Sequence, residues 1–293
     1  MPAFNAEKYI SESIISVINQ TYSNWELIIV DDESTDKTSE IIKQYMNTDS
    51  RVKYFYQKNS KQGKARNTAF KKSNGEFIAF LDADDIWTNT KLEIQVKEML
   101  ANQSIDLIFS QGYLLNNAGI ENYNITVKSQ WNNQDLPTFI NCNQIPILSV
   151  LVKTQALKTV EIFSEDLRIQ NVEDYHLWLK LLDSNFKFKS IENRLFYYRI
   201  HQNQSTYQSS NTNIPMLNML CMFYDNCNSR TKTIRKSIID RTKMLMADEQ
   251  VKQESFNLIK AIQKKQNPII YLILHLLPPF LGKIRYTVAS KLS

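Results

Sequence analysis

Residues 75–87 read GEFIAFLDADDIW, an apolar run from Phe77 to Leu81 that ends abruptly in Asp82, Asp84 and Asp85. A short run with no alternation is the pattern of a strand buried on both faces, as in a parallel sheet. The same pattern occurs upstream, where Trp25 to Val30 (WELIIV) stops at Asp31 and Asp32. Two buried strands therefore each deliver acids at their carboxyl ends, the side on which open α/β sheets bind ligands.

The segments around these runs complete the pattern. Ile10, Ile14, Val17 and Ile18 recur at helical spacing between Ala6 and Gln20, with Asn5 placed as an N-cap. Ser34, Thr35 and Asp36 are cap candidates for a helix carrying Ile41, Ile42, Tyr45 and Met46. Val52 to Tyr56 reads as a strand and Ala65 to Lys72 as a helix ending near Gly75. Strand and helix alternate, which predicts an α/β fold: a doubly wound, mostly parallel sheet flanked by helices.

Farther along, a helix is expected over residues 89–100 and a strand over Leu107 to Ser110. The Asn- and Gln-rich stretch from Asn116 to Asn143 reads as a variable loop region. Ile147 to Val152 is a strand candidate. Glu173 and Asp174 open a helix with the apolar stripe Leu177, Trp178, Leu181 and Leu182, and Phe196 to Ile200 forms a strand leading into His201. Beyond about residue 205 only helical patterns remain, so a boundary is placed there, with residues 205–293 a helical C-terminal region.

With 293 residues, 43% of them hydrophobic, the chain fills a substantial core. A net charge of +5 does not suggest a nucleic-acid partner. Cys142, Cys221 and Cys227 are odd in number and lack metal-ligand spacing, which suits a reducing, cytoplasmic compartment. The apolar run Ile269 to Leu281 is interrupted by His275, Pro278 and Pro279 and falls short of the about 20 residues a spanning helix needs. With Lys283, Arg285 and Lys291 beside it, the tail from Asn267 suits either the anionic inner face of a membrane, as a peripheral contact, or packing on the main domain or a second subunit of a homodimer.

Asp82 and Asp84, one residue apart on a turn, can face the same way, and hard oxygen ligands suit Mg²⁺ or Mn²⁺ shared with a diphosphate. An isolated Asp-X-Asp is more often a solvated acidic turn, and Asp31 and Asp32 alone read equally well as helix caps. The buried strand before each pair favours a site. Trp87 reads as packing against the next helix rather than as a sugar platform.

Asn5 to Glu7, Asn19 to Tyr22, LIIVDDESTD (27–36), GKARN (63–67), GEFIAFLDADDIW (75–87) and EDYHLW (173–178), in this order and spacing, resemble the family 2 inverting glycosyltransferases over about the first 200 residues. The resemblance implies a GT-A fold over residues 1–204, with a nucleotide-sugar half (1–115) and an acceptor half (116–204). It implies a nucleotide-sugar donor, UDP-linked by expectation, a divalent metal (Mn or Mg), and a glycan or lipid-linked acceptor in surface polysaccharide synthesis. Asp32 corresponds to the residue that contacts the nucleobase, in a pocket lined by Pro2, Ala3, Phe4 and Glu7. Asp84 corresponds to the metal ligand. Asp82, with Ala83 between them, lies toward the donor and is a second ligand candidate. Lys61, Lys64 and Arg66 are phosphate or sugar contact candidates, and Arg199 and His201 (YYRIHQNQS) lie in the segment that approaches diphosphate or metal. Asp174 corresponds to the general base, expected to be held ionised by the helix N-terminus as a weak base.

One feature departs from the family pattern. Its members carry a hydrophobic strand immediately before the position of Pro2, where this sequence has only Met1. The expectation is a missing first strand, a slot in the core, and an internal methionine at Met1. Two other readings share parts of this pattern. Sugar nucleotidyltransferases open with a Gly-rich phosphate loop, and Pro2 to Tyr9 contains no glycine; a noncatalytic nucleotide-sugar-binding subunit would differ only in lacking turnover.

Overall fold

Strand β2 (Leu27–Asp31) is buried at every position, as an unbroken apolar run requires of a strand covered on both faces. In the computed structural model, which describes residues 1–202, 204, 212–228, 231–245 and 252–266, it is the middle of a parallel sheet. The order is β1 (Pro2–Ala3), β2, β3 (Val52–Tyr56). Helices α1 (Ile10–Ile18) and α2 (Thr38–Thr48) make the crossovers, and α1 buries Ile10, Ile14 and Val17, the stripe its spacing implied.

The residues at the start of the sequence pair with β2, with Pro2 and Ala3 forming the two-residue β1. Val30 N–H donates to Met1 O at 2.9 Å, and Asp32 N–H to Ala3 O at 2.8 Å. Asn5 is not the N-cap of α1. Its backbone is left-handed (φ 47°) and its carboxamide oxygen accepts from Thr35 N–H at 2.8 Å, fastening the turn after β1 to the turn after β2.

After α3 (Lys61–Lys72), the strands β4 (Phe77–Ala79) and β5 (Ile86–Trp87) enter a second sheet. It also contains β6 (Leu107–Asn116), β7 (Gly119–Tyr123), β8 (Leu151–Lys153) and β9 (Phe188–Arg199), in the order β4-β8-β6-β9-β5 with β7 on β6. Among the described residues, β6 and β9 are the parallel pair of this sheet and its other pairings are antiparallel. The α/β class stands, and the sheet is mixed where a mostly parallel one was expected. A doubly buried strand carries the same apolar run in either direction, so the sequence cannot signal orientation.

The stretch 116–143 is largely structured rather than a variable loop. It forms the β6–β7 hairpin and α5 (Leu136–Asn141), and Trp131, Leu136, Phe139 and Ile140 are among the most buried residues. Their apolar contacts are nonlocal, which is why the Asn and Gln content dominated the local pattern. Helix α4 (Lys91–Ala101), α6 (Thr154–Thr159) and α7 (Glu173–Asp183) flank the sheet.

Leu220, Phe223, Ile238 and Ile262 belong to the same buried cluster as Phe139 and Trp178. They come from α8 (Asn213–Asn226), α9 (Lys232–Leu245) and α10 (Lys252–Gln266). Each such side chain contributes roughly 1.5–3 kcal/mol by burial, which fastens these helices to the main domain. Among the described residues no helix is long and apolar enough to cross a membrane. The segment Ile269 to Leu281 lies outside the described residues.

Candidate active site

Beyond β4 the chain continues buried through Phe80 and Leu81 and emerges at Asp82. There a single buried side chain organises the carboxylates. Arg66, on α3, donates from Nη2 to Asp82 Oδ1 and from Nη1 to Glu173 Oε1, each at 2.8 Å. Burial works against the guanidinium charge, and the attraction of Asp82 and Glu173 outweighs it and raises the pKa. Gly63 lets α3 approach this closely. A Cβ there would meet Ser164 O at 3.1 Å and Glu173 Cγ at 3.4 Å.

Asp174 follows Glu173 in the first turn of α7. Burial, then the charge of Glu173, pushes its carboxyl up to about 7, against the pull of Arg66 and the hydrogen bond from Tyr175 N–H. This corrects the expectation of a carboxylate held strongly ionised by the helix terminus. Desolvation and two like charges, Glu173 and Asp82, exceed the terminus effect of about 1 kcal/mol, and the group becomes a stronger base.

A second cluster forms one turn away. His201 Nε2 lies 2.9 Å from Asp84 Oδ2, with the Tyr9 ring 4.7 Å from the His201 ring. Burial, then Asp82, raises the Asp84 carboxyl, while His201 lowers it. Asp85 is buried and accepts from Arg199 N–H at 2.9 Å. The Arg199 side chain donates to Asp84 O at 2.8 Å, pairs with Glu12 and sits over the Tyr9 ring, 4.7 Å from its centroid. Arg199 thus braces the Asp82–Asp85 turn from behind. This role, like those of Tyr9, Glu12 and Asp85, was not read from the sequence; the only available signal was Asp85 directly following the Asp-X-Asp.

At the end of β2, Asp32 is buried and accepts from Gln57 Nε2 at 2.7 Å and from the N–H groups of Ser60 and Lys61 at 2.9 Å each. Asp31 accepts from Tyr54 Oη–H at 3.0 Å and Ser34 N–H at 2.9 Å. Both acids of this pair hold the loops around the strand end, with Asp32 fixing the turn into α3. Pro2 and Ala3 lie beside them in β1. Phe4 is half exposed, and Glu7 accepts from Lys37 N–H at 3.0 Å.

Among the three cationic candidates, Arg66 is committed to carboxylates, whereas Lys61 is exposed and Lys64 stands 3.9 Å from Glu165 on the surface. Trp87 packs, as expected: it is buried and its Nε1–H donates to Leu148 O at 3.0 Å.

A divalent cation fits part of this arrangement. No group of three or more His, Cys, Asp or Glu side chains able to hold a metal occurs among the described residues. Asp84 and His201 stand directly against each other, Oδ2 to Nε2 at 2.9 Å, a carboxylate and an imidazole of the kind that would hold a cation completed by diphosphate oxygens. Asp82, committed to Arg66, is less available than Asp84.

Residues 1–150 match the family model described as glycosyl transferase family 2. The chain is 39% identical over 186 residues, 63% of this chain and 69% of the relative, to UDP-Glc:alpha-D-GlcNAc-diphosphoundecaprenol beta-1,3-glucosyltransferase WfgD of Escherichia coli. It is 38% identical, over 62% of this chain and 70% of the relative, to an uncharacterized glycosyltransferase of Haemophilus influenzae. Among solved structures, TarS of S. aureus in complex with UDP-GlcNAc superposes with a TM-score of 0.72 at 18% identity, covering 90% of this chain and 79% of that one. A mannosyltransferase of Pyrobaculum calidifontis in complex with GDP-Man and Mn²⁺ gives 0.60 at 15% identity, over 99% and 84%. The fold is therefore that of these transferases, and the chain is a glycosyltransferase belonging to glycosyl transferase family 2.

Proposed function

We propose that this enzyme transfers a sugar, with inversion, from a UDP-linked donor to a hydroxyl of a glycan or lipid-linked acceptor in surface polysaccharide synthesis. The observation that carries the mechanism is the Arg66 bridge. It holds Asp82, at the end of the donor-side strand, and Glu173, beside Asp174, on one guanidinium.

Asp174 accepts the proton of the attacking hydroxyl while the acceptor oxygen forms a bond to the anomeric carbon. The bond from that carbon to the diphosphate breaks on the opposite face, and the leaving diphosphate keeps the electron pair. A carboxylate titrating near 7 suits this task, since it is half deprotonated at working pH yet basic enough to take the proton. Asp84 and His201 would hold Mn²⁺ or Mg²⁺, which when bound neutralises charge on the departing diphosphate. Asp32, Pro2, Ala3, Phe4 and Glu7 form the base-binding end, and the exposed Lys61 and Lys64 are the cations that meet phosphate or sugar.

The UDP donor is supported by the UDP-Glc that WfgD is named for and by the UDP-GlcNAc held by TarS. The lipid-diphosphate acceptor is supported by the GlcNAc-diphosphoundecaprenol on which WfgD acts. Residues 1–204 act as the catalytic unit, with the helices of the C-terminal region packed on its core. The test is incubation of the full chain with a panel of nucleotide sugars, Mn²⁺ and a GlcNAc-diphosphate lipid, reading nucleotide release and product anomer. Metal-dependent release coupled to an inverted product is expected. Binding of donors without release would favour a noncatalytic subunit, and a retained anomer would overturn the mechanism.

A further inference from the structure

Tyr123 closes β7, and its ring meets two rings of β9 edge-on, Phe196 at 5.7 Å and Tyr198 at 6.4 Å between centroids. Gly112 of β6 pairs with Tyr123. The missing side chain there lets the Phe196 ring lie across the strand, since a Cβ at Gly112 would come within 2.4 Å of it. Tyr123 rests on that ring. Its backbone is held as well, because Arg194 Nη1 donates to Gly112 O at 2.8 Å and to Tyr123 O at 3.2 Å, and Nη2 to Asn124 Oδ1 at 2.6 Å.

This fixed ring carries a hydroxyl with nothing to bond. Tyr123 is half-buried, and among the described residues its Oη has no hydrogen-bond partner, whereas Tyr54 and Tyr175 both donate to oxygens of the protein. A polar group held partly away from water and left unpaired costs free energy until a ligand pairs it. Burial, then the charge of Asp174, raises the Tyr123 pKa. The Asp174 carboxyl is thus within electrostatic reach of a hydroxyl on a different element, and that hydroxyl stays protonated and able to donate. The surrounding chain is tied to both ends of the site. Tyr175, next to Asp174, donates to Ile140 O of α5 at 3.0 Å, and Thr126, just beyond Tyr123, donates to Gln144 Oε1 after α5 at 3.3 Å. Tyr198 is followed by Arg199, which holds Asp85 and Asp84. Tyr123 therefore touches the strand that braces the acidic turn and lies near the base.

We infer that Tyr123 is an acceptor-binding residue, whose hydroxyl donates to a substituent oxygen on the acceptor sugar next to the attacking hydroxyl. A pyranose presents oxygens on adjoining carbons, so one can bond Tyr123 while its neighbour gives its proton to Asp174. Neither water nor a simple alcohol offers both. The rings of Tyr123 and Tyr198 add apolar surface for the C–H face of the sugar. This role rests on the sugar-transfer reading and sharpens its acceptor to a sugar whose attacked carbon has an oxygen- or nitrogen-bearing neighbour.

The test uses the full chain with the nucleotide-sugar panel, Mn²⁺ and the GlcNAc-diphosphate lipid, and measures transfer to the lipid and donor hydrolysis by water in the same reaction. Tyr123→Phe keeps the ring on Phe196 and Tyr198 and removes only the hydroxyl, so it should melt within about 2 °C of the wild-type chain. Its ratio of transfer to hydrolysis should fall ~10-fold, with a raised KM for the lipid, because water does not use the hydroxyl. An unchanged ratio, or equal falls in transfer and hydrolysis, would overturn the role; equal falls with a lowered melting temperature would leave Tyr123 a packing residue. Asp174→Asn separates this outcome from the mechanism beneath it. Transfer that is insensitive to Asp174→Asn, or absent from the wild-type chain, would bring down the sugar-transfer reading and the Tyr123 role together. Asp174-dependent transfer with an unchanged Tyr123→Phe ratio would bring down the Tyr123 role alone.

Discussion

Arg66 and Asp82 stand 2.8 Å apart with the guanidinium almost wholly buried, and the other end of that guanidinium holds Glu173 at the same distance. One side chain thus couples the strand end that bears Asp84 to the helix that bears Asp174.

Arg66→Ala would leave Glu173 and Asp82 facing each other without a counter-charge. Breaking a buried pair by removing one partner costs about 3–5 kcal/mol, so thermal denaturation should show a large loss of stability. Arg66→Lys retains charge but cannot bridge two carboxylates as a fork; a smaller stability loss with a clear fall in kcat is expected. A kcat unchanged in a folded Arg66→Lys enzyme would deny the bridge its role.

Asp174→Asn should lower transfer by at least ~100-fold while donor affinity by calorimetry stays within a few-fold. The wild-type rate should climb with pH through about 7, because the base acts only when deprotonated. The residual activity of Asp174→Asn should lack that limb. Transfer by the variant at the wild-type rate would remove Asp174 as base.

Asp84→Ala should abolish the metal dependence of donor binding, since it removes the carboxylate that faces His201. Thermal shift with donor, in Mn²⁺ and in chelator, reads this directly: the wild-type difference between the two conditions should vanish in the variant. A variant that keeps that difference would place the metal elsewhere.

The Met1 ammonium is lowered by burial from 8.0 to about 5. The unfolded chain therefore binds this proton more readily than the folded one between those values. Its contribution to stability is complete above pH 8 and is lost as pH falls toward 5, by up to about 1.4 kcal/mol per unit. The melting gap between the free-amine and Nα-acetylated chains should widen, against the free amine, as pH falls from 8 to 5. A constant gap would show that the terminus is solvated.

Gly112→Ala should destabilise the fold by about 1–3 kcal/mol, because a Cβ there would lie 2.4 Å from the Phe196 ring. Pairing it with Phe196→Leu should recover part of the loss in denaturant melts, since the obstruction is that ring.

The fold class was legible in the sequence, because unbroken apolar runs ending in acids need a sheet covered on both faces and that demand is local, and the family was legible as a resemblance carried by its ordered motifs. The sequence also brought the Asp82–Asp84 turn and Asp174 into view, because each lies at the end of a legible element. How each acid is held came from the folded structure. Asp32 caps the turn into α3, Asp82 is held by Arg66, and Arg199 braces the acidic turn, all through hydrogen bonds between residues far apart in sequence. The same holds for the upward shift of Asp174, the antiparallel course of most of the second sheet, and the core role of Trp131 and Phe139 in an otherwise polar stretch. Burial and long-range pairing set each of these, and neither is encoded in the spacing of neighbouring residues.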